Sequence, residues 1–383
     1  MAKGSRGEVT IRYNDDRGRW ETRVTVGYDP TSGRQRRRLI VGRTKGHVRD
    51  QLRQIQRSLD DGIDVTNDKR TVAAFMADWL ADVLPGTVSD GTVDNYTSVT
   101  DHYIVPAIGS IRLKALKPSD VQSMLTGMAD RGLSGNTQRL ARSILRRALR
   151  LAERDGIVPR NVASLVDGPR LNTPMGRTMT PEQARAVLAG SADHRLGAAW
   201  AVMLTTGLRR GELLGLGWDD VDTEARTITV HRNLTRRTGV GLVVSTPKTK
   251  TSARVVHLPD AAVVALRAHR KRMATERLAL GSAWPDAPLG VDFVFRSPVG
   301  TPVDPANFTK ATYAMTTELL GDRWSPHEFR DTAASLLFAQ AVPLKTVSEV
   351  LGHSSISVTA DVYTHLLDGA GRSAADAMNS VVG

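Results

Sequence analysis

The chain has 383 residues, no cysteine, 40% hydrophobic and 24% charged residues, and 52 Lys and Arg against 40 Asp and Glu, a formal charge of +12. That length calls for two or three domains, the composition excludes a disordered chain, and the missing cysteines exclude disulfides and thiolate metal sites. No apolar run nears the roughly 20 residues that span a bilayer, and the opening MAKGSRGEVT has no apolar core of a signal peptide, so a cytoplasmic protein without a membrane partner is expected.

The positive charge is unevenly spread. Residues 1–57 hold fifteen Lys and Arg against six Asp and Glu, so +9 of the +12 lies there. Excess charge of this kind on a folded segment favours a polyanion, foremost nucleic acid; a solvated face is the alternative. Residues 8–43 alternate apolar and polar positions around the turns DDRG and DPTSG, which predicts three short antiparallel strands, then a helix from about Lys45 to Leu59. Arg34, Arg36, Arg37 and Arg38 fall along one edge of that sheet, suited to a DNA groove or to blocking edge-to-edge aggregation.

Residues 60–71 are polar and turn-rich and read as a linker between a domain over 1–59 and a helical segment over 72–166. That segment holds VAAFMADWLADVL, a second helix near Thr92–Tyr103, and a third opening at KPSDVQSML with Ser119 as N-cap and Gln122 as its capping-box partner. In NTQRLARSILRRALRLAERDG, Leu140, Ile144, Leu145, Leu149 and Leu151 form the apolar stripe and Gly156 ends the helix. Arg139, Arg142, Arg146 and Arg150 recur at helical spacing on another face, an arrangement for phosphates or simply for solvent. Residues 167–179, rich in Pro and Gly, read as a second linker before a domain over 180–383. Its first helix is signalled by Thr180 as N-cap, Pro181 and Gln183. RTITVHRN and GLVVSTPKTKTSARVVHLP predict one small antiparallel sheet with a Lys-rich turn inside this mostly helical domain.

Four stretches of the last domain carry groups that suit phosphoryl transfer: TTGLRRGELLGLGWDDVD, STPKTKTSARVVHLP, SPHEFRDTAASLL and LGHSSISVTADVYTHL. Attack on a phosphodiester loads charge onto the non-bridging oxygens, and the guanidinium forks of Arg209 and Arg330 match them. A tyrosine nucleophile, with a reference pKa of about 10, needs a proton acceptor; His327 and His353 are the candidates. The departing 5′ oxygen needs an acid, which a lysine on a hairpin can supply. A covalent phosphotyrosine keeps the energy of the broken bond, so no cofactor, metal or ATP is expected. HEFRD opens like the zinc motif H-E-x-x-H, but its fifth position is Asp331, so the second ligand is missing. A tyrosine at 363 on an amphipathic helix can also be plain core, since Val358, Val362 and Leu366 form a stripe beside it.

Arg209 in TGLRRGEL, His327 and Arg330 in HEFR, His353 in LGH and Tyr363 in TADVYTH, in this order and with the ten-residue step from His353 to Tyr363, resemble the tyrosine recombinases, the integrases of temperate phages and integrative elements. The resemblance is best over 178–367 and extends more loosely over NYTSVTDHYIVPAIGSIRLKAL, similar to the family's core-site DNA-binding domain; residues 1–57 look like an arm-site-binding domain. It implies a multidomain chain: a small N-terminal antiparallel sheet plus helix, an all-α core-binding domain, and a mixed, mostly α catalytic domain. It also implies that Tyr363 forms a 3′-phosphotyrosyl link, that Arg209 and Arg330 bind the scissile phosphate, and that His327 and His353 complete the pocket. Glu212 then takes a buried supporting role, and Lys248 is the catalytic lysine, with Lys250 nearby in the same turn. The partner implied is double-stranded DNA at attachment sites, bound by a homotetramer in a bacterial host cell, with a host bending factor or an excisionase as helpers. Phe329 and Asp331 depart from the usual LRH, and His257 from the usual proline. A type IB topoisomerase would use the same residues without exchanging partners, and a DNA-binding repressor would need none of them; two DNA-binding segments ahead of a full catalytic set favour recombination.

Overall fold

In the computed structural model, residues 9–28, 32–60, 69–169, 176–245, 253–352 and 378–379 are described, and the chain divides into two units, Met1–Asn172 and Thr173–Gly383. No helix among the described residues is long and apolar enough to cross a membrane.

The first unit opens with an antiparallel sheet in the order β1 (Arg12–Asn14), β2 (Arg19–Tyr28) and β3 (Gln35–Gly42), followed by α1 (Lys45–Asp60). Asn14 accepts a hydrogen bond from the Arg17 amide at 3.1 Å, and Gly18 takes the left-handed conformation that closes the first turn. Alternation places Val24 and Ile40 on one face, where with Val26 they bury against Val48 and Leu52 of α1. The pairing shifts around Val26, so that Thr25 faces Arg37 while Gly27 faces Arg36.

The helices α2 (Val72–Asp78), α3 (Asp90–Val99), α4 (Val105–Ile108), α5 (Pro118–Asp130) and α6 (Gly135–Arg154) follow. They share a core that includes Phe75, Met76, Ile104, Leu125, Ile144, Leu145 and Leu149. On α6 the buried stripe is filled out by Ala141, Ala148 and Ala152, with Leu140 and Leu151 on its shoulders; Gly156, in the left-handed region, ends it. The α5 cap differs from the sequence expectation. The helix starts at Pro118, Lys117 is the cap residue, and its amide donates to Asp120 Oδ2 at 2.9 Å in place of the Ser119–Gln122 pair. Proline's fixed φ and missing N–H suit the first helical position, which moves the frame back two residues.

The second unit begins with α7 (Pro181–Gly190), where the expected box closes both ways: the Thr180 amide donates to Gln183 Oε1 at 3.0 Å and the Gln183 amide to Thr180 Oγ1 at 3.3 Å. Apolar α8 (Gly197–Thr206) is buried along nearly its whole length and leads into the short α9 (Arg210–Leu214). The β-region is two sheets, where the sequence suggests one. β4 (Val221–Asp222) and β8 (Arg254–His257) flank β5 (Thr227–Val230), while β6 (Asn233–Arg237) and β7 (Gly241–Ser245) form a separate hairpin. Val256 and Ile228 pair across β8 and β5 and are both buried, which fixes that register. α10 (Asp260–Leu280), α11 (Pro305–Leu320), α12 (Pro326–Ala339) and α13 (Leu344–Leu351) complete the unit.

Buried His269 of α10 lies between Trp218 and Phe295, and its Nε2–H donates to the Val294 carbonyl at 2.8 Å. Burial, reinforced by the charges of Arg195 and Arg272, holds its pKa below the ordinary histidine value; the more exposed His194 shifts the same way, first through partial desolvation and then through the charges of Arg272 and Arg195. Both resist protonation when folded and accept it when unfolded, so their contribution is present above the unfolded pKa of about 6.5 and is lost as pH falls below it. The melting temperature of the second unit should therefore drop between pH 7 and pH 5.5, above the carboxylate range. In His269→Gln that drop should be smaller; an identical pH dependence in calorimetry would clear His269 of the effect.

Candidate active site

Arg209 sits where two local rules meet. α8 ends at Gly207, in the left-handed region, and the chain turns through buried Leu208 so that Arg209 caps α9 in an extended conformation. Three residues on, Glu212 turns back: Oε2 accepts the Arg209 amide at 3.0 Å and Oε1 accepts Arg209 Nη1 at 2.9 Å. The same carboxylate takes Arg254 Nη1 at 3.2 Å and Nη2 at 2.9 Å. Burial pushes the Glu212 carboxyl up, but the hydrogen bond and charge of Arg254, with those of Arg209, outweigh it and hold the group below the usual carboxylate range. Arg209 Nη2 also donates to the Gly352 carbonyl at 3.0 Å.

α12 presents His327 and Arg330. Ser325 caps it, accepting the Glu328 amide at 3.3 Å while Glu328 Oε2 takes the Ser325 amide at 2.6 Å. The spacing of three brings both side chains to one side of the helix. Arg330 is 2% exposed and donates through Nη1 to the Gly207 carbonyl at 2.7 Å. The residue just past α8 thus holds the guanidinium of α12. Phe329, one of the departures from the family pattern, is buried in the core, and His257, another, is exposed at the end of β8.

The chain entering this unit is tied to the same helix. The Arg177 guanidinium lies 4.0 Å over the Trp324 ring, Nε meets Glu328 Oε1 at 3.0 Å, and the group also reaches Asp322 and the Arg323 carbonyl. The Met179 amide donates to Thr332 Oγ1 at 3.0 Å.

Arg209, His327 and Arg330 line one cleft of about 660 Å³, together with Arg210, Arg236 and Tyr313. The sequence therefore selects residues from α9 and α12 that the fold brings together. Lys248, Lys250, His353 and Tyr363 lie outside the described residues, which run to Ser245, resume at Ala253 and reach Gly352. Arg254 is not singled out by sequence reasoning. Its signal was present: on β8 it alternates in register with buried Val256, and an arginine on the inward face of a strand calls for a partner.

The candidate DNA-contacting arginines are placed less simply. β3 is an edge strand, and alternation splits its arginines: Arg36 and Arg38 share the face of Ile40, while Arg37 shares the other with Arg23 and Arg12. Arg37 bonds Gln35 Oε1 at 2.8 and 3.1 Å, and Arg34 precedes the strand. The single row read from the sequence is thus two faces. On α6, Arg139 and Arg150 are exposed and Arg142 and Arg146 half-buried. Arg139 Nε donates to the Pro169 carbonyl at 2.8 Å. Burial first, then the charges of Arg146 and Arg139, lower the Arg142 pKa against a partial offset by Asp167.

With this geometry in place, the comparisons with known proteins are specific. Residues 177–369 match the phage integrase family, and residues 71–129 match its N-terminal SAM-like domain. An integrase of Streptomyces ambofaciens is 33% identical over 377 residues, covering 95% of this chain and 94% of its own. A XerC-like tyrosine recombinase of Caldanaerobacter subterraneus subsp. tengcongensis is 29% identical over 94% of this chain and 95% of its own. The Tn1549 transposon integrase, solved with a circular intermediate DNA, superposes with a TM-score of 0.67 at 25% identity, over 77% of this chain and 95% of that one. A lambda integrase dimer bound to a core site shares the fold alone, at 17% identity and a TM-score of 0.56 over 94% of this chain and 96% of its own. The chain belongs to the phage integrase family and is a tyrosine recombinase, an enzyme of site-specific DNA recombination.

Proposed function

We propose that the chain cuts and rejoins double-stranded DNA at attachment sites through Tyr363, integrating a mobile element and excising it with helpers. The observation that carries this reading is the convergence of Arg209, His327 and Arg330 on one cleft, with Arg209 holding the carbonyl of the residue before His353. In the reaction, the Tyr363 oxygen attacks the scissile phosphorus, the bond from phosphorus to the 5′ oxygen breaks, and a 3′-phosphotyrosyl bond replaces it. The tyrosine proton passes to His327 or His353, and Lys248 protonates the departing oxygen. The two guanidinium groups stabilise the charge that grows on the non-bridging oxygens. Rejoining reverses these steps with a 5′ hydroxyl from the partner duplex, so the phosphodiester energy is conserved.

The solved relatives bind transposon, circular-intermediate and core-site DNA, and one is a lambda integrase tetramer on a Holliday junction. In the same way this chain is read as a homotetramer on DNA in the bacterial cytoplasm, with a bending factor or excisionase beside it. The sheet and α1 are read as an arm-site domain, residues 72–166 as a core-site domain, and 180–383 as the catalytic domain. The arginines of β3 and of α6 are read as phosphate contacts.

Tyr363→Phe removes only the attacking oxygen, so it should abolish covalent complexes with a suicide substrate while leaving DNA affinity nearly unchanged. A trapped adduct in the Phe variant would sink the nucleophile assignment. Arg330→Ala should slow cleavage by roughly 10²–10³-fold, and Lys should rescue poorly because a point charge cannot make the forked contact. Cleavage in EDTA should continue at full rate; a strict Mg²⁺ requirement would point to a metal nuclease.

Deleting residues 1–57 removes a net +9. The truncated protein should still cleave a core site but bind full attachment DNA with a shallower salt dependence, since the slope is roughly 0.9 per phosphate neutralised. A salt titration beside the suicide-substrate assay measures both, and an unchanged slope with unchanged recombination would make the basic sheet a solvated surface.

A further inference from the structure

We propose that Arg254 is a positioning residue for strand cleavage, holding Glu212 and the chain that leads into His353 without touching DNA itself. The inference rests on the site reading above and adds a residue to it.

Arg254 has three features that a merely structural surface arginine lacks. Its side chain is 9% exposed and it makes a forked contact to Glu212, whose side chain is 6% exposed. Its Nε reaches the Val350 carbonyl at 3.0 Å, at the end of α13. Gly352 lies against the guanidinium plane: a Cβ there would stand 2.7 Å from Arg254 Nη1 and 2.8 Å from its Cζ. Gly352 also has a φ of +66°, so both conformation and space demand glycine at this point. Arg254 and Arg209 thus grip the carbonyls of residues 350 and 352 from two sides of one carboxylate. The next residue is His353.

The division of labour follows from exposure. Arg209 is 43% exposed and lines the cleft, so it can share its guanidinium between Glu212 and a phosphate. Arg254 does not line the cleft among the described residues, and all three of its nitrogens already donate, to Glu212 and to the Val350 carbonyl, from a side chain that is 9% exposed. It therefore acts through other groups. A lysine in its place can reach one of these partners but cannot bridge both, because three contacts from one plane need the fork.

The test is single-turnover cleavage of a suicide substrate by the full chain, with DNA affinity and thermal melting measured on the same variants. Arg254→Lys should cleave at least about tenfold more slowly with affinity for attachment DNA within about twofold of the unmodified chain. Glu212→Gln should slow cleavage as well, and the double variant should be no slower than the worse single one, since the two act as a unit. Gly352→Ala presses on the same guanidinium from the other side and should show the same split between rate and affinity; it decides the matter if Arg254→Lys does not fold. Tyr363→Phe runs beside them. Loss of its adduct together with a full rate for Arg254→Lys or Gly352→Ala would overturn the Arg254 proposal alone. A parallel fall in rate and affinity would also overturn it, by making Arg254 a DNA contact. An adduct in Tyr363→Phe would overturn the underlying site reading and this proposal with it.

Discussion

A buried carboxylate between two arginines fixes the geometry of the site. Glu212 is 5% exposed, and an isolated carboxylate at such a place would be protonated or expelled. It survives as an anion because four hydrogen bonds reach it, two from Arg209 and two from Arg254. Removing one partner of such a buried set costs about 3–5 kcal/mol, because the remaining charge is left uncompensated. That penalty locks together α9, β8 and the end of α13, which are far apart in sequence. Two positive groups on one negative group also leave the cluster with an excess charge, and the exposed half of Arg209 is where it meets the cleft.

The second anchor is made of backbone. Gly207 has a φ of +66°, and a Cβ on it would sit 2.5 Å from Leu351 Cδ2, so α13 packs directly on this turn. Its carbonyl receives Arg330 Nη1, which aims a guanidinium of α12 at the turn that precedes Arg209. One glycine thus sets the spacing of two arginines and seats the helix that ends at Gly352. Arg177 adds a brace from outside through Glu328, a carboxylate that also closes the cap of α12. His327 stands between that cap and Arg330. Helix start, cleft and chain entry are consequently mechanically linked within this unit, which makes the HEFR turn a poor place for tolerated substitutions.

Much of this was legible in the sequence wherever the cause is local. The Thr180–Gln183 box, the three N-terminal strands, α1 and the stripe of α6 each follow from residues within a few positions of one another, and the structure has them. Arg209, His327 and Arg330 were singled out by their fit to phosphoryl transfer and by the resemblance that TGLRRGEL and HEFR carry, and the fold brings the three to one cleft. What was not legible depends on pairing at a distance. β8 pairs with β5 and not with β7, a choice set by the buried pair Ile228 and Val256 that no short window contains. Arg254 was missed for the same reason, since its partner Glu212 lies 42 residues earlier. On α5 a local signal was misread, because Pro118 outcompetes Ser119 for the helix start.

The arginine face of α6 shows how structure changes the weight of a reading that sequence leaves open. A face meant only for solvent would let its guanidinium groups spread into water, where like charges cost little. Here Arg142 is drawn in until burial and the charges of Arg146 and Arg139 lower its pKa, with Asp167 as a partial offset. Its Nε is buried and has no hydrogen-bond partner among the described residues. An anion placed beside this group would supply both an opposite charge and an acceptor. Arg139 complicates the picture, because its Nε is already tied to the Pro169 carbonyl, leaving its other donors for a phosphate. The face therefore holds one arginine that fixes the outgoing chain and another, Arg142, whose Nε lacks an acceptor among the described residues. A guanidinium cluster of this kind is chemically suited to an anion such as a phosphate, which is the physical ground for reading the face as a DNA contact.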